Sequence, residues 1–121
     1  MRPMIYVLIT ICGTVAGQLM LKRGMMEVGG IPSNVSQYFS FFVRALTNLK
    51  VIFSLFLAFI AALGWMAAVS KLELSYVYPF MASTFPLVLF FSWLLFKENV
   101  SLLRWIGVFI IWFGVFLVSR S

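Results

Sequence analysis

Residues Val51–Ser70 read VIFSLFLAFIAALGWMAAVS, twenty consecutive positions without a charged side chain. A helix of about 20 apolar residues crosses the hydrocarbon core of a bilayer. One Lys or Arg at the centre of such a helix costs about 2.5–3.5 kcal/mol on insertion scales. Because this block excludes every charge, it predicts a membrane-spanning helix.

Three further blocks of the 121-residue chain have the same character: Pro3–Leu21, Leu74–Phe96 and Trp105–Ser119. All nine Lys and Arg residues and all three Glu residues fall outside the four blocks. The last block is short, but it reaches a spanning length when residues 102 and 103 join it and Arg104 extends to the interface. We therefore predict an all-α membrane protein with a single domain over 1–121 and spans at about 3–21, 51–70, 74–96 and 102–119.

The connection between the first and second spans predicts a further helix. The sequence Gly29-Gly30-Ile31-Pro32 is a turn signal, and Ser33 or Asn34 is suited to cap a helix that follows it. Apolar residues then recur on one helical face, at Val35, Tyr38, Phe39, Phe42, Ala45, Leu46 and Leu49. This pattern is typical of an amphipathic helix in the headgroup plane, here over about 34–49.

Composition excludes several classes of function. The chain has no His and no Asp, so metal sites and acid–base catalysis lack their usual residues. We therefore expect no enzyme, no metal and no cofactor. The single Cys12 lies inside the first span, which rules out an internal disulfide. The net charge of +6 sits at span ends, where cations meet anionic headgroups, so it indicates a membrane surface and not nucleic acid.

Charges at the span ends suggest an orientation. Arg2, Lys71 and Arg120 share one side of a four-span topology. The other side carries six cations, at Lys22, Arg23, Arg44, Lys50, Lys97 and Arg104, and this excess favours it as the cytoplasmic side. On that side we expect Glu98, which lies close to two of the cations, to form a surface ion pair.

A polar stripe runs along the first span, because Thr10, Thr14, Gln18 and Lys22 recur every four residues. A Thr hydroxyl bonds readily to its own helix backbone, whereas the Gln18 amide needs an external partner in hydrocarbon. Two interpretations stay open for the stripe: it lines a transport pathway, or it joins one helix to another.

The third span carries two prolines. Tyr76, Pro79, Ser83 and Pro86 share one helical face, with Tyr78 on another. Each proline removes a backbone hydrogen bond and kinks the helix, which frees the carbonyls of residues 75 and 82. Residues 83 and 84 are placed to compensate with their hydroxyls. Such spans often mark transport routes, although a kink also serves packing alone.

In the fourth span, Gly107 and Gly114 lie seven residues apart and therefore share a face. Small residues allow close approach of helices in lipid, which favours a dimer interface. The alternative is that glycine is simply frequent in membrane helices.

Four segments together resemble the drug/metabolite transporter superfamily, specifically its four-span members: Gly13–Lys22, Leu74–Phe80, Phe96–Glu98 and Arg104–Val115. The resemblance covers nearly the whole chain. It extends to two branches, the small multidrug resistance exporters and the EamA-like small proteins. The second branch includes the paired subunits of the aminoarabinose-phosphoundecaprenol flippase.

The two branches differ at the first span. The resemblance implies that Thr14 stands where the multidrug exporters carry an essential Glu, and that Met81 stands at their substrate-stacking Trp. Tyr78 matches their Tyr. Ala16-Gly17-Gln18, Tyr78-Pro79 and the longer first loop instead look like the flippase branch. The pair Gly107 and Gly114 matches the fourth-span dimer motif of the multidrug family.

The favoured hypothesis is a flippase that moves a polyprenyl-phosphate-linked sugar across the inner (plasma) membrane of a bacterial or archaeal cell. The chain would work with membrane lipid, as a homodimer or as a heterodimer with a related four-span subunit. Two alternatives stay open: an exporter of cationic compounds or polyamines, and an accessory subunit of a membrane glycosyltransferase. The candidate substrate pathway comprises Thr10, Thr14, Gln18, Tyr78, Pro79 and Ser83, and the candidate phosphate contacts are Lys22, Arg23 and Arg44.

Overall fold

The computed structural model describes residues 2–121, with the backbone alone at Arg2. The charge of Arg2, counted above for the orientation, therefore lies outside the described side chains. Four segments are helical, long and apolar enough to cross a membrane, which confirms the predicted fold class. The α-helices in chain order are α1 (Arg2–Val28), α2 (Tyr38–Thr47), α3 (Leu49–Lys71), α4 (Leu74–Val77), α5 (Thr84–Leu95) and α6 (Leu102–Arg120).

The first helix runs seven residues further than the charge-free block that predicted it. Lys22 and Arg23 end the apolar stretch, but neither disrupts helical backbone geometry. The helix stops at Gly29, whose φ of 99° is the left-handed conformation that glycine adopts at helix ends. The Gly29 amide donates to the Met25 carbonyl at 2.9 Å. Helix α1 therefore carries its cations beyond the predicted span.

The helix predicted between the first two spans is present. It begins with one 3₁₀ turn, Val35–Gln37, where the Asn34 side chain accepts a hydrogen bond from the Ser36 amide at 3.1 Å. In α2 the buried residues are Phe41 and Ala45. Most of the predicted apolar stripe is exposed, including Phe39, Phe42 and Leu46, as a helix lying against lipid requires.

A polar joint links the end of α1 to the start of α3. Asn48 separates α2 from α3 and accepts hydrogen bonds from the amides of Lys50 and Val51, at 2.9 and 3.3 Å. Its side-chain amide donates to Glu27 at 3.2 Å, and Glu27 also pairs with Lys50. The orphan amides at the start of α3 are satisfied in this way.

The third span is interrupted, as its prolines predict. A 3₁₀ segment, Tyr78–Ser83, lies between α4 and α5. Pro79 stands in the first turn of that segment and Pro86 in the first turn of α5, where a missing amide costs no intrahelical bond. The predicted compensation is wrong in detail, because the Thr84 hydroxyl donates to the Met81 carbonyl at 2.8 Å and the Ser83 side chain makes no capping bond.

Helices α1 and α3 form the closest pair of the fold. A Cβ built at Gly13 would lie 3.2 Å from the Cβ of Ala61, and one at Gly64 would lie 2.9 Å from the Thr10 hydroxyl. Apolar helices gain little from leaving lipid, so close backbone approach through small residues stabilises their contact. The third span packs on this pair, and α6 packs on the third span.

We expect Gly64→Val to destabilise the fold. A Cβ at this position also lies 3.2 Å from the backbone oxygen of Tyr6, which cannot move aside as a side chain can. Overpacking of this kind costs about 1–3 kcal/mol. The measurement is loss of helicity on titration with a denaturing detergent.

The control is Gly30→Val, because a Cβ at Gly30 meets nothing within 4 Å of the described chain and Gly30 lies outside the spans. Equal stability of the two variants would contradict the assignment of the α1–α3 contact.

Candidate functional site

A cavity of about 520 Å³ lies between α1, α5 and α6 and is called here the polar cavity. Its polar lining residues come from three helices and from the loop between α5 and α6: Thr14, Gln18, Thr84, Ser92, Glu98 and Arg104. Glu98 and Arg104 are exposed, so they form its charged mouth. Gln18 is exposed as well and lies at the same edge, whereas Thr14, Thr84 and Ser92 line the interior together with apolar residues such as Val88 and Val108.

A second groove, of about 410 Å³, runs along the α1–α3 contact and is lined by Thr10, Ser54 and Trp65 among others. Thr14 and Gln18 line both this groove and the polar cavity. Among the residues that line the two spaces, the side chains of Thr10, Ser54 and Thr84 donate hydrogen bonds to backbone carbonyls within the described chain, whereas those of Thr14 and Gln18 make none. Both side chains are therefore available to a ligand.

Thr10 has a different environment from the two residues that follow it on the stripe. It is 3% exposed, and its hydroxyl lies 2.8 Å from the Tyr6 carbonyl and 3.2 Å from the Ala61 carbonyl of α3. The two interpretations of the stripe therefore correspond to different residues of it. Thr10 joins α1 to α3, and Thr14 and Gln18 face open space.

The third-span candidates do not line the polar cavity. Tyr78 is 62% exposed, and its ring packs edge-on against Trp65 with the ring centres 5.7 Å apart. Pro79 and Ser83 lie in the 3₁₀ segment and are half-buried. Tyr78 is thus adjacent to the second groove through Trp65, while the wall of the polar cavity comes from the helix after the 3₁₀ segment.

The three candidate phosphate contacts have three different neighbours. Lys22 lines a space of about 550 Å³ under the Gly29–Gly30 turn. The Arg23 guanidinium lies 5.3 Å from the ring centre of Phe96, a geometry of cation–π attraction. Arg44 donates to the Val28 carbonyl at 3.3 Å and so caps α1. Arg23 is the one of the three that contacts Phe96, directly before the loop that carries Glu98.

The expectation of a surface ion pair at Glu98 is wrong. Among the described residues the observed ion pair is that of Lys50 with Glu27, and Glu98 forms none with Lys97 or Arg104. Lys97 adopts a φ of 55°, and the Glu98 amide returns toward the Ser92 carbonyl at 3.5 Å. This reversal after α5 brings the Glu98 side chain to the polar cavity.

The sequence analysis missed four lining residues: Thr84, Ser92, Glu98 and Arg104. Thr84, Val88 and Ser92 have the same four-residue spacing as the stripe on α1, so the signal for the helical wall was present. The two charged residues lie in or next to a loop, where helical spacing gives no information about direction.

Gly107 and Gly114 face open space, since a Cβ at either meets nothing within 4 Å of the described chain. Their helix, α6, is the most exposed of the spans, with Val108 as its buried residue. The face that carries both glycines is thus unoccupied within one chain.

Comparison with known proteins gives one group of relatives. A protein of Pseudomonas fluorescens, named "Probable 4-amino-4-deoxy-L-arabinose-phosphoundecaprenol flippase subunit ArnE", is 27% identical over 114 residues, which cover 93% of this chain and 94% of the relative. Proteins of the same name from Yersinia pestis and Yersinia pseudotuberculosis are 36% identical over 55 residues. That match covers 46% of this chain and about half of the Yersinia relatives, 48% of their length. No family model and no solved structure matches the chain.

The chain is similar to these flippase subunits. The resemblance to the flippase branch, predicted from Ala16-Gly17-Gln18, Tyr78-Pro79 and the longer first loop, is therefore confirmed. The names of the relatives describe transporter subunits and not enzymes, in agreement with the expectation from composition. Together with its four spanning helices, the relationship makes this chain a multi-pass membrane protein.

We expect Lys97→Gly to stabilise the fold. A residue other than glycine pays about 1–2 kcal/mol for left-handed backbone, and Lys97 is the described non-glycine residue with positive φ. The variant should tolerate more denaturing detergent before it loses helicity. Lys71→Gly is the comparison, because Lys71 ends α3 in helical conformation and there the change should destabilise. Lower stability of Lys97→Gly would contradict the strain at this loop.

Proposed function

We propose that this chain is a subunit of a flippase that moves a polyprenyl-phosphate-linked sugar between the leaflets of a bacterial inner membrane. One observation carries the proposal: a cavity with neutral hydrogen-bonding groups inside and charges at its mouth, in a chain related over 93% of its length to a flippase subunit. The printed name of that relative supplies the class of cargo.

The interior of the polar cavity suits a sugar. Thr14 and Ser92 line the interior, Gln18 lines the exposed edge, and Thr14 and Gln18 have unused donors and acceptors. Sugar hydroxyls exchange hydrogen bonds with water for bonds to such groups at little net cost. Neutral groups also allow the headgroup to leave again, as transport requires.

The mouth of the polar cavity suits a phosphate. Arg104 lines it, and Arg23 lies on the adjacent Phe96. Guanidinium groups bind phosphate through paired hydrogen bonds. Lys22 and Arg44, on other parts of the same membrane side, would attract the anionic headgroup from the lipid surface. The isoprenyl tail would stay in the bilayer along the exposed apolar faces of the helices.

A partner chain completes the proposal. Four helices enclose little volume, and the face of α6 with Gly107 and Gly114 is open. A second four-span subunit, identical or related, would pack there through the close approach that glycine permits. The relatives are named as subunits, which supports a heterodimer as readily as a homodimer.

The test replaces Gln18 by Leu. This change keeps the size of the side chain and removes its hydrogen-bonding groups, so translocation of a polyprenyl-phosphate sugar in reconstituted vesicles should fall about tenfold when one polar contact to the sugar is lost. Accessibility of the labelled sugar to an external reagent measures the rate.

The control for this test is Gln37→Leu, the same change in an exposed 3₁₀ turn outside the spans. Its rate should equal that of the unaltered chain. If Gln18→Leu moves lipid at the unaltered rate, the polar cavity is not the route.

We also expect no resistance to toxic cations in cells that produce this chain alone. A proton-coupled exporter needs an acid within the membrane to exchange proton and cation, and Thr14 occupies the position where the multidrug branch carries it. Growth in graded concentrations of a quaternary ammonium compound is the measurement. Resistance above that of cells with an empty vector would favour the exporter.

A further inference from the structure

A groove of about 320 Å³ lies between α5 and α6 and is called here the aromatic groove. Four of its lining side chains are aromatic: Phe90 of α5, and Trp105, Phe109 and Trp112 of α6. Three of these rings, those of Phe90, Phe109 and Trp112, are exposed within the single chain. In a membrane, the molecule that covers them therefore comes from outside the described residues.

The rings of this groove form one continuous row together with Trp93 of α5. The ring centres are 6.1 Å apart for Phe90 and Trp93, and 5.8 Å apart for Trp93 and Trp105. Along α6 they are 6.4 Å apart for Trp105 and Phe109, and again 6.4 Å apart for Phe109 and Trp112. The row therefore crosses from one helix to the other and then follows α6.

Anchoring at the membrane surface does not account for the whole row. Trp residues are enriched where spans meet the headgroups, which suits Trp93 and Trp105, near the loop between α5 and α6. Trp112, in contrast, lies in the middle of α6 (Leu102–Arg120), at the depth of the lipid chains. A lipid chain is therefore the natural neighbour of this end of the row.

The aromatic groove adjoins the polar cavity. Val108 is 9% exposed and lines both spaces. Its side chain therefore lies between the site proposed for a lipid headgroup and a groove at the depth of lipid chains. A lipid with its headgroup in the polar cavity has a path for its chain past this one valine.

The aromatic groove and the glycine pair lie on different faces of α6. Trp105 and Trp112 are seven residues apart, as are Gly107 and Gly114. The two pairs differ by two positions, which is about 200° around an α-helix. A partner subunit that packs on the glycines therefore leaves the aromatic groove open to lipid.

A row of aromatic rings favours a chain with double bonds. Lipid chains are as apolar as the groove, so a saturated chain gains little by entering it. Aromatic faces and edges attract other π-systems beyond the effect of the area buried. An isoprenyl chain carries a flat double bond in each of its units and can stack along the row, whereas a saturated acyl chain has no π-system.

We propose that the aromatic groove binds the unsaturated isoprenyl chain of the transported lipid, while the phosphate and sugar of that lipid occupy the polar cavity on the other side of Val108. This assignment rests on the proposed function. It adds a second determinant of the cargo, namely the double bonds of its chain, which act independently of the sugar.

The experiment uses two probes with the same headgroup. They are a polyprenyl monophosphate and its fully hydrogenated counterpart, which keeps the chain length and the methyl branches but lacks the double bonds. Binding is measured on the full chain in nanodiscs of saturated phosphatidylcholine. The unaltered chain should bind the unsaturated probe about fivefold more tightly, as expected for contacts between aromatic rings and double bonds.

Phe109→Leu should lower this preference about twofold, because one ring of the row is lost. Replacement of both Phe109 and Trp112 by Leu should abolish it. The matched control is Phe113→Leu, the same change one turn further along α6. Phe109 and Phe113 are 59% and 62% exposed, so neither change should disturb the fold, but of the two only Phe109 lines the groove. The control should keep the full preference.

Equal affinity of the unaltered chain for the two probes would overturn this assignment, and so would absence of binding by the unsaturated probe. A preference that Phe113→Leu lowers as much as Phe109→Leu would overturn it as well. Equal affinities together with loss of an oligomer in Phe109→Leu, seen by native mass spectrometry, would assign the groove to a partner helix instead.

Translocation of both probes in vesicles separates this assignment from the proposed function. A preference in binding without translocation of either probe would support the chain site and count against the flippase activity alone. Translocation without a preference in binding would support the flippase and overturn the chain site.

Discussion

The close contact between α1 and α3 is the constraint on which the other elements depend. Lipid offers no hydrophobic gain for association, so the contact relies on backbone approach at Gly13 and Gly64. The Thr10 hydroxyl bonds across this contact, and the group of Glu27, Asn48 and Lys50 fixes its far end. Helix α2 and the third span pack on this pair of helices, and α6 packs on the third span.

The third span packs against α1, and its second half, α5, forms one wall of the polar cavity. A 3₁₀ segment, Tyr78–Ser83, which carries Pro79 in its first turn, interrupts the α-helix before α5 begins. A straight helix would present one continuous face to α1. The interruption instead lets Val77 pack in the core, while Thr84 and Ser92 of the next segment face the polar cavity.

The polar side chains within the spans form two groups, those with a hydrogen-bond partner in the chain and those without one. The hydroxyls of Thr10 and Thr84 bond to backbone carbonyls: Thr10 to Ala61 of the neighbouring α3, and Thr84 to Met81 within its own span. Thr14 and Gln18, one and two turns further along α1 than Thr10, face a cavity and bond to none of the described residues. Unpaired polar groups are costly in a membrane, so their retention beside a charged mouth agrees with a cargo that has matching groups.

The sequence by itself determined the four spans and the polar stripe on α1, because charge exclusion and helical period are local properties, and it narrowed the cap to Ser33 or Asn34, of which the structure uses Asn34. It also identified the relationship to flippase subunits. It did not reveal that α1 continues to Val28, or that Tyr78 and Ser83 lie away from the cavity. Glu98 was placed wrongly, because the direction of a loop side chain depends on the backbone at Lys97 and on helices distant in the chain. Only the packing of α5 on α1, and of α6 on the third span, decided which polar side chains meet.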